Sequence, residues 1–545
     1  MSGTEKRHLL LLTLFALLVR LYVFLATPVI GTDGYNWFHA TRSFAQGDFE
    51  AGLGHPIHPV YPILFAGLTK LLGNYEVAGK AVALIMGVLT VFPLYFLARG
   101  AFGHYAGVFA AFFLAINPTH VRLSADIMSD TTNLFFFLSA IWLGWEAIKS
   151  GAWQRYALAG VCVTLSYFTR AESLALLVVM LPWFILANIE EFRRHLLKRV
   201  VCIGLFIAPL ILLSAPYIFF IHKKTGVWHV TQQGAAQLAT GTISTTPGLS
   251  AEDKKKPERR VPESEKIARW KEKGHYHMIF VLTLNEFAKD FYQPFLPFLL
   301  IGFFKFAEGS GIAKTPPNQW IIHRLLSLRL RLASSDSRVE FFLLSFFGLY
   351  FILYYLLAYN AYYISGRYVL PMAVLSFVWA GVGMEKASKY LCQFAPSLER
   401  NTLGFNRAGL LLFLALLAVA LPKDLKIKRK DEVVKKEAGY WIKANAPVKN
   451  PVIMGIGELN LEKVAFYAEG EFRHLAPPYN RFQGFVNAWR PNYIVFYKEE
   501  LPEEVFSLVN KNENFVFVKE WVCKKKGKES HFLLYFMKKR FSNSS

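Results

Sequence analysis

The stretch HLLLLTLFALLVRLYVFLATPVI, residues 8–30, runs directly into Gly31-Thr32-Asp33-Gly34-Tyr35-Asn36-Trp37-Phe38-His39. A hydrocarbon core roughly 30 Å thick needs about 20 apolar residues in a spanning helix. Residues 8–30 meet that length. Lys6 and Arg7 precede the run, as they would in a secretory signal. The run is too long for one and lacks a small-residue cleavage site, so an uncleaved first helix is expected. Asp33 then stands at the exit of that helix, where hydrocarbon gives way to water. A carboxylate is costly to desolvate at such a boundary, which marks it as a functional candidate.

Further apolar windows follow near 76–98, 105–118, 129–148, 155–170, 172–189, 200–221, 291–307, 339–358, 368–388 and 408–422. Together with the first they predict a polytopic α-helical membrane protein of about eleven spans. Pro59–Leu72 is apolar but short, with Pro59 and Pro62 at its start, and reads as an interfacial helix. With the N-terminus inside, three basic clusters fall in cytoplasmic loops: Lys149 with Arg155; Arg193, Arg194, Lys198 and Arg199; and Arg324, Arg329, Arg331 and Arg338. That satisfies the positive-inside rule, and the opposite orientation would translocate all three.

The outer side then receives the first loop (31–75), Pro118–Met128, the Arg170–Glu172 corner, the segment 222–290 and Tyr359–Arg367. The 222–290 segment is polar and long enough to be either a flexible loop or a lid, with Trp228, Trp270 or Tyr276 as anchors. Two domains are expected: a transmembrane catalytic domain over 1–422 and an outward-facing α/β domain over 423–545. In the latter, Lys435–Ala446 reads as a helix, and Val452–Met454, Tyr493–Tyr497, Phe515–Val518 and Phe532–Phe536 read as strands. Its Gly455-Ile456-Gly457 lacks the spacing of a phosphate-cradling loop.

The net charge of +22 is carried largely between the apolar runs, which points to topology and anionic lipids. No basic recognition module accompanies it, so nucleic acid is not an expected partner. Cys162, Cys202, Cys392 and Cys523 have neither metal-ligand spacing nor the pattern of a disulfide framework.

Five elements collect on the predicted outer face. They are Asp33; His55-Pro56-Ile57-His58-Pro59-Val60-Tyr61-Pro62; Arg122 through Asp130; Thr169-Arg170-Ala171-Glu172; and Ser365-Gly366-Arg367-Tyr368. Asp126 and Asp130 are four apart, which a regular helix would place on one face. Each element also has a plain structural role open to it. Ser129 and Asp130 fit a helix cap, Arg170 with Glu172 an interfacial pair, and Arg367 a snorkelling cation. His55 and His58 fit a proline-held turn, since zinc would need further ligands. Acids and arginines sharing one face beside a helix bundle favour a polar, anionic substrate. Arginine grips phosphate in a bidentate manner, and a carboxylate beside an acceptor hydroxyl can take its proton. A phosphate ester leaves readily once its charge is stabilised, so single-displacement glycosyl transfer needs no second acid to protonate a poor leaving group.

The order of these motifs resembles the polyprenyl-phosphate-dependent glycosyltransferases of the GT-C superfamily over about residues 8–422. The protein O-mannosyltransferase-like enzymes and the lipid A aminoarabinose transferase are the members it is most similar to. The resemblance implies Asp33 as catalytic acid of the first outer loop, His55–Pro62 as the proline motif and Ser129-Asp130 as the Ser-acid pair. It implies Arg170-Ala171-Glu172 as the arginine corner and Arg367-Tyr368-Val369-Leu370-Pro371 as the late motif, with lipid-phosphate contacts for Arg367 and Arg170. Three departures stand out. Gly34 follows Asp33 where many relatives carry a second acid. Ser124-Ala125 replaces a Ser-Arg, leaving Arg122 to substitute. The Trp-Trp-Asp signature of oligosaccharyltransferases is absent, against en bloc glycan transfer.

The expected activity is inverting transfer of a single hexosyl or pentosyl group from a polyprenyl-phosphate donor to a protein, lipid or polysaccharide acceptor. Asp33 would be the base. Asp126, Asp130, Glu172, His55, His58 and Tyr368 would shape substrate contacts, and Arg122, Arg170 and Arg367 would face phosphate. No nucleotide is needed. A divalent metal is compatible with the chemistry, but the sequence supplies no ligand set for one. The expected location is a prokaryotic cell (inner) membrane with the active site and C-terminal domain outward. A flippase for lipid-linked saccharide would use the same phosphate-binding groups without a base, but it would be expected to show internal repeats and broken helices, and neither is visible. A structural envelope subunit would leave the ordered acids unexplained.

Overall fold

The computed structural model describes residues 1–187, 195–232, 262–309, 335–361, 364–399, 401–402, 405–457, 460–476, 479, 482–525 and 527–538. The chain divides into two compact units: Met1–Phe24 with Ser43–Lys426, and Leu25–Arg42 with Ile427–Ser545. The second unit thus joins residues 25–42 to the C-terminal part of the chain. Of the basic residues used to orient the chain, Arg193, Arg194, Arg324, Arg329 and Arg331 lie outside the described residues. So does 233–261 of the candidate lid.

The first unit is a helical bundle. Five of its described helices are long and apolar enough to cross a bilayer: Gly3–Ala26, Tyr75–Phe102, Leu196–Thr225, Arg338–Asn360 and Gly366–Phe394. Shorter apolar helices accompany them at Val60–Leu72, His104–Ala115, Ala171–Leu186 and Gln293–Phe303. The window at 76–98 is interrupted at Thr90, where helix Tyr75–Leu89 gives way to Val91–Phe102. Pro93 has no N–H to offer the Leu89 carbonyl four residues back, and Met86 O accepts from the Thr90 hydroxyl at 2.7 Å. Helix His104–Ala115 is buried continuously from Ala106 to Ala115, as an all-round apolar helix must be when it faces protein on every side.

Helix Gly366–Phe394, buried from Val369 through Met384, runs through the core and presents Arg367 and Tyr368 at its N-terminal end. Small residues let it approach its neighbours closely. A Cβ on Gly383 would stand 1.8 Å from Phe298 O, and one on Gly302 would stand 2.0 Å from Trp379 O. Helix pairs in membranes use small residues for this purpose, since dispersion replaces the hydrophobic drive there.

Two expectations need correction. The segment 222–290 is not one loop: it contains helices Pro262–Glu272 and Tyr276–Phe291, the latter contributing Ile279, Phe287 and Phe291 to the main apolar core. Of the supposed lid anchors, Trp228 stacks on His222 at 4.0 Å and is exposed, Trp270 is half-buried against the core, and Tyr276 lies 6.0 Å from Tyr359. Nor do Asp126 and Asp130 share a helix. Helix Pro118–Leu123, opened by the Asn117 side chain accepting from His120 N, ends before Asp126, and the next helix begins at Asp130.

The second unit is built on a five-stranded sheet in the order Glu471–Leu475, Val452–Ile456, Tyr493–Tyr497, Lys528–Met537, Phe515–Lys525. The first three strands run parallel and the last two pairings are antiparallel. Strand Tyr493–Tyr497 is buried at every residue, as a central strand covered on both faces requires. Strand Glu471–Leu475 escapes sequence reading because its Glu-Phe-Arg-His-Leu carries too few apolar residues. Helix Val433–Asn445 lies close to the predicted one.

Candidate active site

In the first unit, the corner after helix Trp153–Tyr167 is shaped by a buried polar triangle. The Ser166 hydroxyl lies 2.8 Å from Asn133 Oδ1 and 2.8 Å from the Ser173 hydroxyl, which itself bonds Asn133 Oδ1 at 2.9 Å. These bonds tie the corner to helix Asp130–Ser150. The Phe168 carbonyl accepts from Val60 N at 3.1 Å and draws in the proline motif. Two short motifs distant in sequence thereby meet at Arg170.

Arg170 is committed to two carboxylates. Its Nη1 donates to Asp130 Oδ1 at 2.6 Å and its Nε to Glu172 Oε1 at 2.5 Å, with the side chain only 14% exposed. Asp130 thus serves as a partner for arginine, and Ser129 makes no side-chain cap. The Tyr350 hydroxyl donates to Glu172 O at 3.1 Å. Tyr368 lies under both guanidinium groups, 5.1 Å from Arg170 and 5.6 Å from Arg367, and Arg367 Nη1 reaches Met128 Sδ at 3.9 Å.

His58 completes this side. Its ring stands 6.0 Å from Tyr167, and burial pushes it down to about 4, with Glu172 pulling upward and Arg170 pushing further down. It is a neutral imidazole near pH 7. His55 lies in the preceding turn, whose carbonyl accepts from Ile57 N at 2.7 Å. Tyr61 donates to Gly79 O at 3.0 Å and feels the charges of Asp126 and Asp130. Asp126 is buried and accepts from Ile127 N at 2.9 Å.

A further acid, Asp290, belongs to this neighbourhood. It feels Arg122 and Asp130, and the Thr119 hydroxyl donates to it at 3.1 Å. Burial raises it to about 7, with Glu286 and Asp130 adding to the rise and Thr119 and Arg122 opposing it. Sequence reading missed it because it sits inside 222–290, where no motif flags it. Arg122 itself is exposed. No group of three or more His, Cys, Asp or Glu among the described residues could hold a metal ion.

Asp33 belongs to the other unit. It is half-buried and stands immediately before helix Gly34–Gln46, its carbonyl accepting from Asn36 N at 3.0 Å and Trp37 N at 3.4 Å. The C-terminal part of that unit clasps the segment around it. Lys436 Nζ donates to Pro28 O at 2.9 Å, Ile30 N to the Tyr467 hydroxyl at 3.0 Å and Thr32 Oγ1 to Asn460 Oδ1 at 3.1 Å. Phe472 N donates to the Tyr35 hydroxyl at 2.6 Å, and Phe38 meets Phe466 with ring centres 5.3 Å apart. Arg42 Nη1 reaches Asn450 Oδ1 at 3.0 Å and Glu469 O at 3.2 Å. Asn450, Asn460 and Glu469 all have left-handed backbones, with φ of 60°, 81° and 54°. Such conformations persist where surrounding contacts over-determine them.

A family model described as dolichyl-phosphate-mannose-protein mannosyltransferase matches residues 54–219. That stretch holds His55, His58, Arg122, Asp126, Asp130, Arg170 and Glu172, but neither Asp33 nor Arg367. No curated protein sequence matches the chain. Among solved structures, ArnT from Cupriavidus metallidurans bound to undecaprenyl phosphate aligns with a TM-score of 0.56 at 13% identity, covering 98% of each chain. The Archaeoglobus fulgidus oligosaccharyltransferase tethered to an acceptor peptide aligns at 0.52 and 15%, covering 90% of this chain and 68% of the other. The Archaeoglobus fulgidus oligosaccharyltransferase AglB, in complex with an inhibitory peptide and a dolichol-phosphate, aligns at 0.52 and 14%, covering 97% and 74%. The chain shares its fold with these solved structures, and five of its described helices have the length and composition to cross a membrane.

Proposed function

We propose that the protein is an inverting glycosyltransferase that moves a single hexosyl or pentosyl group from a polyprenyl-phosphate donor to an acceptor on the outer face of a prokaryotic cell membrane. The observation that carries this reading is the Arg170 cluster. Segments around 58–61, 117–130, 170–172, 290 and 366–368 converge on one half-buried patch of alternating charge. The family-model match and the GT-C likeness support the same class of donor. The proposal includes about eleven spans, with 1–422 as the catalytic region and both Asp33 and the C-terminal domain facing outward.

Asp33 takes the proton of the acceptor hydroxyl as its oxygen attacks the anomeric carbon. The bond from that carbon to the phosphate oxygen breaks, and the electron pair leaves with polyprenyl phosphate. Arg367, with Arg122, stabilises the charge developing on the leaving phosphate. Arg170 holds Asp130 and Glu172 in place, so that their remaining oxygens accept from substrate hydroxyls. His58, neutral, and Tyr368 line the polar wall, with His55 and Asp126 behind them. A base at this position is worth roughly 10²–10⁴ in rate. Transfer of one sugar rests on the missing Trp-Trp-Asp signature. The acceptor is a protein, lipid or polysaccharide.

The test is reconstitution in liposomes with polyprenyl-phosphate mannose and other polyprenyl-phosphate sugars, comparing the parent with Asp33→Asn. The expected result is sugar transfer by the parent, lost by about two to four orders of magnitude in the variant with its unfolding midpoint unchanged. Transfer surviving intact in the variant would sink the base assignment. Movement of lipid-linked sugar across the bilayer without transfer would favour a flippase.

A further inference from the structure

Asp290 carries more than the cluster demands of it. The side chain ends helix Tyr276–Phe291 and is 6% exposed. Oδ1 accepts from the Thr119 hydroxyl at 3.1 Å, and the residue's main-chain carbonyl accepts from Asn117 Nδ2 at 2.8 Å. Those two bonds pin the helix end to the turn that opens the 117–130 segment. Oδ2 has no hydrogen-bond partner among the described residues. A buried carboxyl oxygen without a partner is destabilising, and its presence calls for a reason beyond packing.

Gly366 supplies the second observation. A Cβ added there would stand 2.6 Å from Asp290 Oδ1 and 2.9 Å from Oδ2. The backbone immediately before Arg367 therefore lies close against this carboxyl, and a side chain there would oblige the carboxyl to move. A purely structural acid, tying a helix end to a turn, would use Oδ1 and the main-chain carbonyl. It would not need a buried Oδ2 left without a partner.

We propose that Asp290 is a specificity-determining residue whose Oδ2 hydrogen-bonds a hydroxyl of the glycosyl group on the lipid-linked donor. The inference rests on the reading of this site as one for a polyprenyl-phosphate sugar. A carboxylate repels phosphate, so beside arginines that take the phosphate it is suited to the uncharged part of the ligand. A hydroxyl both donates and accepts, and so satisfies Oδ2 whether or not the acid holds its proton.

The test measures binding of bare polyprenyl phosphate, polyprenyl-phosphate mannose and polyprenyl-phosphate glucose to the full chain in lipid nanodiscs. Asp290→Ala and the isosteric Asp290→Asn are compared with the parent. The parent is expected to bind at least one sugar-bearing lipid more tightly than the bare phosphate. Asp290→Ala should weaken that lipid about tenfold to a hundredfold, toward the affinity of bare polyprenyl phosphate, which stays unchanged. Asp290→Asn, able to accept and donate, should retain part of the preference. A donor lacking the hydroxyl in question should bind parent and Asp290→Ala alike.

Equal weakening of bare and sugar-bearing lipids by both variants would assign Asp290 to structure and overturn the inference. So would no sugar preference in the parent, or a preference untouched by either variant. If the sugar-dependent difference appears but the parent transfers nothing to any acceptor, the transferase reading fails and the inference stands. If the parent transfers sugar and Asp290→Ala binds every lipid normally, the inference fails alone.

Discussion

The Arg170 cluster and the Asp33 segment are supported in opposite ways. Arg170 bridges Asp130 and Glu172 directly, so the cluster's strength is electrostatic and held within a few side chains. Leu25–Arg42 depends instead on hydrogen bonds, those of Lys436 and Arg42 running to uncharged oxygens, and on ring contacts spread over residues 436–472, more than 400 positions further along the chain. Losing Arg170 strands two carboxylates, one of them buried. Losing one contact of the Asp33 segment loosens a clasp that has several others. The two regions should therefore fail differently, abruptly in the first and gradually in the second.

The largest effect is expected from Arg170→Ala. It leaves Asp130, 5% exposed, and Glu172 without their cation, and removing one partner of a buried pair costs about 3–5 kcal/mol. The unfolding midpoint should fall sharply and transfer should be lost. The combined change Asp130→Asn, Arg170→Met, Glu172→Gln should recover much of the midpoint, because no charge is stranded. It should recover no transfer. Full activity in the combined variant would dissolve the contrast between the regions.

A smaller effect is expected from Arg42→Ala. The side chain gives two hydrogen bonds, to Asn450 Oδ1 and Glu469 O, and lies 5.4 Å from the Phe38 ring. Their loss should cost about 1–2 kcal/mol of stability. If the clasp positions Asp33, kcat should fall about tenfold for each 1.4 kcal/mol of lost alignment, with the donor KM unchanged. Arg42→Lys, which keeps one bond, should recover part of kcat. A change confined to KM would detach the clasp from the chemistry.

The difference in support also explains what was legible in the sequence. Arg170-Ala171-Glu172, Ser129-Asp130 and Arg367-Tyr368 announce themselves as charges at the ends of apolar runs, where each polar group needs a reason. Helix packing brings such ends together, so reading the motifs in order recovered most of the cluster. Asp290 stayed hidden because a polar loop and a buried helix carrying a few acids look alike without tertiary partners. The clasp on Leu25–Arg42 was equally invisible. Tyr467, Phe472, Asn450 and Asn460 form no motif, and only pairing across hundreds of residues gives them a role. The one-helix reading of Asp126 and Asp130 failed because periodicity assumes a continuous helix, and helix Pro118–Leu123 ends before Asp126.

The smallest effect tests whether the cluster's two titrating neighbours balance each other. Burial lowers His58 to about 4 in the folded state, so its contribution is present above the unfolded value near 6.5 and is lost as pH falls toward 4. Burial raises Asp290 to about 7, so its contribution is present below the unfolded value near 3.8 and is lost as pH rises through 7. Between pH 4 and 7 the slopes therefore have opposite signs. The neighbours that modify the effect of burial differ too: Glu172 and Arg170 act on His58, while the Thr119 hydroxyl and the charges of Arg122, Glu286 and Asp130 act on Asp290. Thermal midpoints taken from pH 7 to 4.5 should show Asp290→Asn losing stability on acidification more steeply than the parent. His58→Gln should lose less than the parent, or gain. Parallel curves for all three proteins would show that neither group titrates in that window, and that the cluster's electrostatics end at Arg170 and its two acids.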